Sequence, residues 1–134
     1  MATLVRREEI DNTEVNTLLA TVTGINGKNT GVTTLYTTPS ANKCVITRID
    51  LHITSASSIT VVAALSIGQN SATYNDIVVA TTLTGFNALD QIYRMSPSGV
   101  FVSVPSSTAI KLNITVGATA TTMTFDAIIH GYLI

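Results

Sequence analysis

The sequence has no tryptophan, one cysteine and few charged residues. Of its 134 residues only 11% are Asp, Glu, Lys or Arg, against about 25% in an average soluble domain. Cys44 cannot form an internal disulfide and has no partner thiols for a zinc site, so we interpret it as a small apolar residue at the start of a strand. The scarcity of cysteine and charge therefore excludes a disulfide framework and leaves solubility to Thr, Ser and Asn.

Charge patterning argues against several partners. The net charge is −1 and the seven basic residues are scattered, so nucleic-acid binding is not expected. No apolar run follows the basic residues near the N-terminus, which argues against a signal peptide. No stretch approaches 18 uninterrupted apolar residues, so we expect no membrane span. A weakly charged, Thr-rich surface is common where neighbouring subunits cover the outside, although a hydroxyl-rich exposed sheet has the same composition.

The most regular pattern lies in Lys43–Gly68, KCVITRIDLHITSASSITVVAALSIG. Its first half alternates with a period of two, which indicates a strand with one buried and one wet face. The apolar set is Val45, Ile49, Leu51 and Ile53, and the polar set is Arg48, Asp50, His52 and Thr54. A polar turn at Ser55–Ser58 and a second alternating run from Ile59 to Ile67 predict a β-hairpin.

Further strands are predicted along the chain, with turn signals every 8 to 12 residues or so and no convincing internal helix. In Thr108–Val116 the residues Ile110, Leu112, Ile114 and Val116 form the predicted buried face. These patterns predict an all-β fold, a single β-sandwich that is jelly-roll-like. The absence of a Cys, Trp, Cys set argues against an antibody-type domain.

The final strand, Thr121–Ile134, is apolar on both faces, which predicts either a central place in a sheet or burial against another subunit. One face carries Met123, Phe125, Ala127, Ile129 and Leu133. The other carries Asp126 and the residues of a hypothetical subunit interface: Ile128, His130, Tyr132 and Ile134.

The N-terminal residues differ from the rest of the chain. Six of its 15 formal charges (seven basic plus eight acidic) fall in the first 14 positions. We therefore predict an N-terminal arm over residues 1–17, followed by the sandwich domain over residues 18–134. The arm is expected to be extended or partly helical, with one apolar helix face made by Ile10, Val15, Leu18 and Leu19.

Few residues suit catalysis, so we expect no enzyme and no cofactor. Only two histidines could act as a base near neutral pH, no G-x-S-x-G motif is present, and the glycines are dispersed at turns. Four metal ligands would meet if two strands were neighbours: Asp50, His52, Asp126 and His130. A sugar platform would draw on the aromatic candidates Tyr36, Tyr74, Phe86, Tyr93, Phe101 and Tyr132, without the usual tryptophan.

The run LYTTPSANKCVITRIDLHITSASSITVVAALSIG resembles a pattern of small tailed-phage virion proteins, in which "L/VYT-x-P" precedes an alternating strand. The strand Ile110–Val116 and the terminal IHGYLI are similar to the closing strands of those proteins. The resemblance implies a bacteriophage structural protein, either a capsid decoration or cement protein or a fibre-like component, and most often a homotrimer.

For this chain we expect a cement protein that is made in the host cytoplasm and located on the capsid surface of the virion, in contact with the major capsid protein. Its arm would lie on adjacent capsid subunits, and β-strand addition could extend neighbouring sheets. The hypothetical capsid contacts are Arg6, Arg7, Glu8, Glu9 and Ile10. A tail-fibre or head-fibre domain that binds a receptor or glycan is the alternative.

Overall fold

The computed structural model describes residues 17–57, 63–97 and 103–134, and the regular structure in these ranges is entirely β. Nine strands follow one another: β1 (Thr17–Asn26), β2 (Gly31–Thr37), β3 (Cys44–Ser57), β4 (Ala64–Gly68), β5 (Val78–Thr82), β6 (Ile92–Met95), β7 (Ser103–Val104), β8 (Ala109–Val116) and β9 (Thr122–Leu133). None of the described residues belongs to a helix long and apolar enough to cross a membrane.

The strands form two antiparallel sheets. Sheet A has the order β1-β9-β3-β6, with β7 also paired to β3, and sheet B has the order β2-β8-β4-β5. β6 pairs with Ile49–His52 and β7 with Cys44 and Val45, so the two short strands occupy one position beside β3. Counted this way, each sheet has four positions, and their order is that of a jelly roll. The predicted all-β sandwich of this type is confirmed.

The core lies between the two sheets as one cluster of buried side chains. Sheet A contributes alternate residues of its two central strands, among them Ile49, Leu51 and Ile53, while sheet B contributes Ile110, Leu112 and Ile114. Aromatic rings fill the middle, where Phe125 meets Phe86 edge to face with ring centroids 6.0 Å apart. The predicted buried face of β8 is confirmed except at Val116, which is 50% exposed at the strand end.

The predicted hairpin over Lys43–Gly68 is wrong. β3 pairs with β9, β6 and β7 in sheet A, whereas β4 pairs with β8 and β5 in sheet B. Ser55, Ala56 and Ser57 continue β3 rather than forming a turn, and residues 58–62 lie outside the described ranges. The alternation correctly identified two strands with a buried face, but it is the same whether a strand pairs with the next one in the chain or packs against it from the opposite sheet.

A β-bulge corrects the predicted faces of β3. The pairing with β9 shifts register between Ile46 and Arg48. Because of this shift Cys44 and Ile46 join the core together with Ile49, while Val45, which was predicted to share the face of Ile49, is buried outside the core cluster.

β9 lies in the centre of sheet A, between β1 and β3. A central place in a sheet was one of the two positions predicted for the final strand. Of the predicted arm, residues 1–17, the first 16 lie outside the described part of the chain, and Thr17 is the first residue of β1. Leu18 and Leu19, expected to belong to a helix face, lie in strand β1 instead. Their position follows from tertiary pairing, since Leu18 pairs with His130 of β9.

Candidate subunit interface

The outer face of sheet A, the side turned away from the core, collects the polar residues singled out in the sequence. Three neighbouring rows run across the strands. The first contains Leu18, His130 and Arg48; the second Thr21, Ile128, Asp50 and Arg94; and the third Asp126, His52 and Ile92. Residues in register on neighbouring strands project to the same side of a sheet, so these rows form one continuous surface.

Three of the four hypothetical interface residues lie on this face along β9, and the fourth, Ile134, directly follows the end of the strand. Ile128, His130 and Tyr132 are half-buried, and Ile134 is 56% exposed. Ile134 is attached to β3 by two backbone hydrogen bonds with Lys43, of 2.9 and 3.0 Å. Exposed apolar side chains extend the surface at both edges, with Leu18 at 56% and Ile92 at 62% exposure. The face therefore mixes apolar and polar groups, a composition found in subunit interfaces.

Asp50 is the centre of an ion-pair network on this face. Its Oδ1 accepts a hydrogen bond from Arg94 Nε at 3.2 Å, and its Oδ2 lies 3.1 Å from Arg48 Nε. Asp50 is only 8% exposed, whereas the side chain of Arg94 is 64% exposed. Two guanidinium groups thus share one carboxylate, and this part of the face carries one more positive charge than negative.

Two buried nitrogen atoms beside this network have no hydrogen-bond partner in the described part of the chain: Arg48 Nε and His130 Nδ1. Arg48 Nε is close to Asp50, but its N–H does not point at the carboxylate well enough to form a hydrogen bond. The other ring nitrogen of His130, Nε2, lies 3.5 Å from an Arg48 terminal nitrogen. Such unsatisfied polar atoms are rare in folded proteins and call for an explanation.

The structure does not assemble the predicted metal ligands into a cluster, although β3 and β9 are indeed neighbours. Asp50 is occupied by the two arginines, and Asp126 Oδ1 accepts the backbone N–H of Gly24 at 3.0 Å. His52 Nε2 lies 3.2 Å from Asp90 Oδ1. In residues 17–57, 63–97 and 103–134 no group of three or more His, Cys, Asp or Glu residues is arranged to hold a metal ion.

The aromatic candidates for a sugar platform are dispersed. Phe86 is buried, with 1% exposure, and packs edge to face with Tyr93 as well as with Phe125. Tyr36 and Tyr93 are half-buried against the core, and Lys111 Nζ lies over the Tyr74 ring at 5.5 Å. Tyr132 lies on the outer face of sheet A, while Phe101 is outside the described residues. These rings therefore do not form one stacking surface.

Cys44 is the first residue of strand β3, as predicted, and its side chain belongs to the core. It is fully buried, and burial raises the pKa of its thiol to about 11. The pKa of Tyr36 is also raised, mainly by burial and to a smaller extent by the nearby Cys44. The thiol is protonated at neutral pH, which suits a packing role because the thiolate is the reactive form.

Sequence reasoning missed three participants in this surface. Arg94 stands alone as a charge in the short strand IYRM, and Asp90 adopts a left-handed backbone with φ of 65° just before it. A lone charge in an apolar strand was a usable signal for Arg94. The role of Leu18 had no comparable signal, because it depends on β1 pairing with a strand at the far end of the chain. The hypothetical capsid contacts Arg6–Ile10 lie outside the described residues.

Comparison with known proteins gives matches in structure alone. No protein-family model matches the chain, and no curated protein matches its sequence. A chain of the acidic stable capsid structure of Helicobacter pylori bacteriophage KHP30 superposes with a TM-score of 0.58 at 16% identity, over 90% of this chain and 91% of that chain. A chain of the cyanophage Pam1 capsid asymmetric unit gives a TM-score of 0.53 at 13% identity, over 86% and 82%. The protein therefore shares its fold, over most of its length, with chains found in two phage capsids.

Proposed function

We propose that the protein is a non-enzymatic structural component of a bacteriophage virion and that it acts as a capsid decoration or cement protein. The observation that carries the proposal is the fold similarity, over most of the chain, to chains of two phage capsids; in one case it extends over nine-tenths of both chains. The low charge of the sequence and the mixed apolar and polar outer face of sheet A support a protein that works through contacts with other subunits.

In this function the protein is a homotrimer that contacts the major capsid protein on the capsid surface. The outer face of sheet A, with Ile128, His130, Tyr132 and Ile134, provides the contact between copies. Residues 1–16 reach neighbouring capsid subunits, with Arg6–Ile10 as the contacts. Many identical contacts then stabilise the shell, because each copy binds the assembled state more tightly than free capsid subunits.

The oligomeric contact is tested by the molar mass in solution, measured by light scattering. We expect three times the chain mass of 14.1 kDa for the unaltered protein. Ile134→Asp should shift the mass to that of a monomer. Val32→Asp is the matched control, because Val32 is exposed to a similar extent, 48% against 56%, but lies in sheet B. Equal masses for the two variants would contradict the proposed interface.

The capsid contact is tested by deleting residues 1–16, which stops short of β1. Binding is measured by co-sedimentation with expanded capsids of the phage that encodes the protein. We expect the truncated protein to remain a trimer and to lose capsid binding. Full binding by the truncated protein would rule out the arm as the capsid contact, and failure of the unaltered protein to bind capsids would reject the cement function.

A further inference from the structure

The edge of sheet A at β6 carries backbone hydrogen-bonding groups that point away from the sheet. Ile53 of β3 donates its N–H to the carbonyl oxygen of Gln91 at 2.9 Å, just before β6 begins. Hydrogen-bonded pairs recur at every second residue of an antiparallel ladder. The N–H and C=O groups of Ile92 and Arg94 therefore point away from β3, and none of the described strands pairs with β6 on that side.

β6 is also more regular than the other long edge strands. The other edges are formed by β1, β2 and β5, and each of these pairs with its neighbour through at least one register shift. β6 pairs with Ile49–His52 of β3 without a shift. Because bulges bend an edge and interrupt its ladder, they discourage the addition of a further strand. Among the described edge strands of four or more residues, β6 is therefore the one best suited to receive another strand.

A cleft between the two sheets lies beside this edge. It has a volume of about 170 Å³ and is lined by residues of β5 and of β6 with its next residue: Val78, Thr81, Tyr93, Arg94, Met95 and Ser96. Val78 and Met95 are buried, so the cleft has apolar walls on both sheets. Successive side chains of a strand point to opposite faces. A strand added beside β6 would therefore place the side chain opposite Tyr93 at the cleft, which suits an aliphatic group.

The exposed side chains of β6 specify the neighbours on the other face. Ile92 is 62% exposed, and the side chain of Arg94 is 64% exposed. Directly opposite residues on neighbouring strands interact, and an opposite charge is favourable there whereas a like charge is not. Arg94 shares the carboxylate of Asp50 with Arg48, so one positive charge is left over. A partner strand should therefore carry an acidic residue opposite Arg94, and pairing of two β6 edges about Arg94 is disfavoured.

We propose that the β6 edge binds an extended segment of a partner protein by antiparallel β-strand addition. The segment carries an acidic residue and then two aliphatic residues, which lie opposite Arg94, Tyr93 and Ile92 in that order. Its first and third residues form backbone hydrogen bonds with Arg94 and Ile92, and its second residue enters the cleft. The inference goes beyond the proposed function, because it concerns a peptide segment of a partner rather than a second copy of this chain, and it does not depend on the phage assignment.

The probe is the acetylated and amidated peptide STEVITS, in which Glu, Val and Ile supply the three side chains. It is titrated into isotope-labelled protein, and the backbone amide signals are followed by NMR. We expect the largest shifts at Ile92 and Arg94, and binding about tenfold weaker when Lys replaces the Glu of the peptide. Methylation of the Glu nitrogen removes a donor that faces β6 and should abolish binding. Methylation of the Val nitrogen, which points away from β6, is the matched control and should leave binding intact.

A protein variant tests the charge contact from the other side. Arg94→Glu should reverse the preference, so that the Lys peptide binds more tightly than the Glu peptide. Lys43→Glu makes the same change of charge at an exposed residue just before β3 and should leave the preference as it is. The peptide variants need no change in the protein, so the test stands even if Arg94→Glu does not fold. Absence of shifts at millimolar peptide overturns the inference, as do shifts centred away from β6 or equal binding of the two methylated peptides.

Discussion

Gly131 lies in β9 at a point where a side chain has no room. A Cβ built there would collide with the backbone carbonyl oxygen of Val45 and approach Leu19 Cδ1 to 2.9 Å. The oxygen belongs to the paired backbone of β3, so the collision is relieved only by moving one strand against another. Overpacking of this kind costs about 1–3 kcal/mol and occasionally more. We expect Gly131→Ala to lower the free energy of unfolding by about 3 kcal/mol.

The sign of this change is itself informative. Without the close approach, replacing a strand glycine by alanine should stabilise the protein by about 0.5–1 kcal/mol, because glycine loses more backbone entropy on folding. For a two-state domain of this length the unfolding entropy near the midpoint is about 0.28 kcal/mol/K, so a loss of 3 kcal/mol lowers Tm by about 10 °C. The measurement is thermal unfolding followed by circular dichroism, with urea unfolding as a second determination.

Gly85→Ala is the control for the Gly131 variant. Gly85 has φ of 78°, and no atom of the described residues lies within 4 Å of its Cβ position, so alanine there meets backbone strain of about 1 kcal/mol and no collision. We expect the Gly131 variant to be the less stable of the two. A Gly131→Ala protein as stable as the unaltered chain, or more stable, would refute the packing of β9 between β1 and β3 as described.

Three further predictions follow from buried groups. The free energy of unfolding should fall by about 2 kcal/mol as the pH rises from about 9, the ordinary thiol pKa, through about 11, the raised pKa of Cys44. Urea unfolding across this range should show a smaller loss in Cys44→Ala, and Tyr36→Phe separates the contribution of the tyrosine, which has the same sign. Thr38→Val should cost about 1–3 kcal/mol, because the buried hydroxyl donates to a carbonyl at 2.6 Å and accepts a backbone N–H at 2.8 Å; an unchanged urea midpoint would contradict these bonds. Asp50→Ala should lower the free energy of unfolding by about 1–2 kcal/mol because it leaves two guanidinium groups facing each other, whereas Arg94→Ala should lower it by less than about 1 kcal/mol, since that side chain is largely exposed. The reverse order of the two variants in urea unfolding would contradict the central role of the carboxylate.

The sequence predicted elements better than it predicted their partners. Strict alternation identified the inward residues Ile110, Leu112 and Ile114 correctly, because β8 is regular along that stretch and has one buried face. In β3 a single bulge was enough to reverse the face of Val45. The separation of β3 from β4 had no local signal at all, since the choice between a hairpin and a crossing to the opposite sheet depends on which distant strands compete for each edge.

The positions of the residues proposed for the interface were predictable in part. Ile128 and Ile134 were noticed because both faces of the last strand are apolar; in the structure Ile128 is half-buried on the outer face of β9, and Ile134, just beyond the strand, is 56% exposed. The ion-pair network was not predictable, because Asp50 and Arg94 are brought together by register rather than by spacing in the chain. His130 Nδ1 lacks a hydrogen-bond partner among the described residues because of how neighbouring strands pack, and no pattern in the sequence indicates this.

The pairing of β1 with β9 links folding to the formation of the outer face of sheet A. Gly24 and Asp126, which hydrogen-bond across this pair, are 102 positions apart in the chain. Strand pairs so distant in sequence form slowly, typically in milliseconds to seconds, because a long loop must close first. β1 is the edge strand of sheet A and β9 is its partner there, so β1 is held in place only when β9 has inserted between β1 and β3. A chain that has not completed this step therefore lacks the outer face of sheet A, and the rows of side chains on that face are acquired together with the native state.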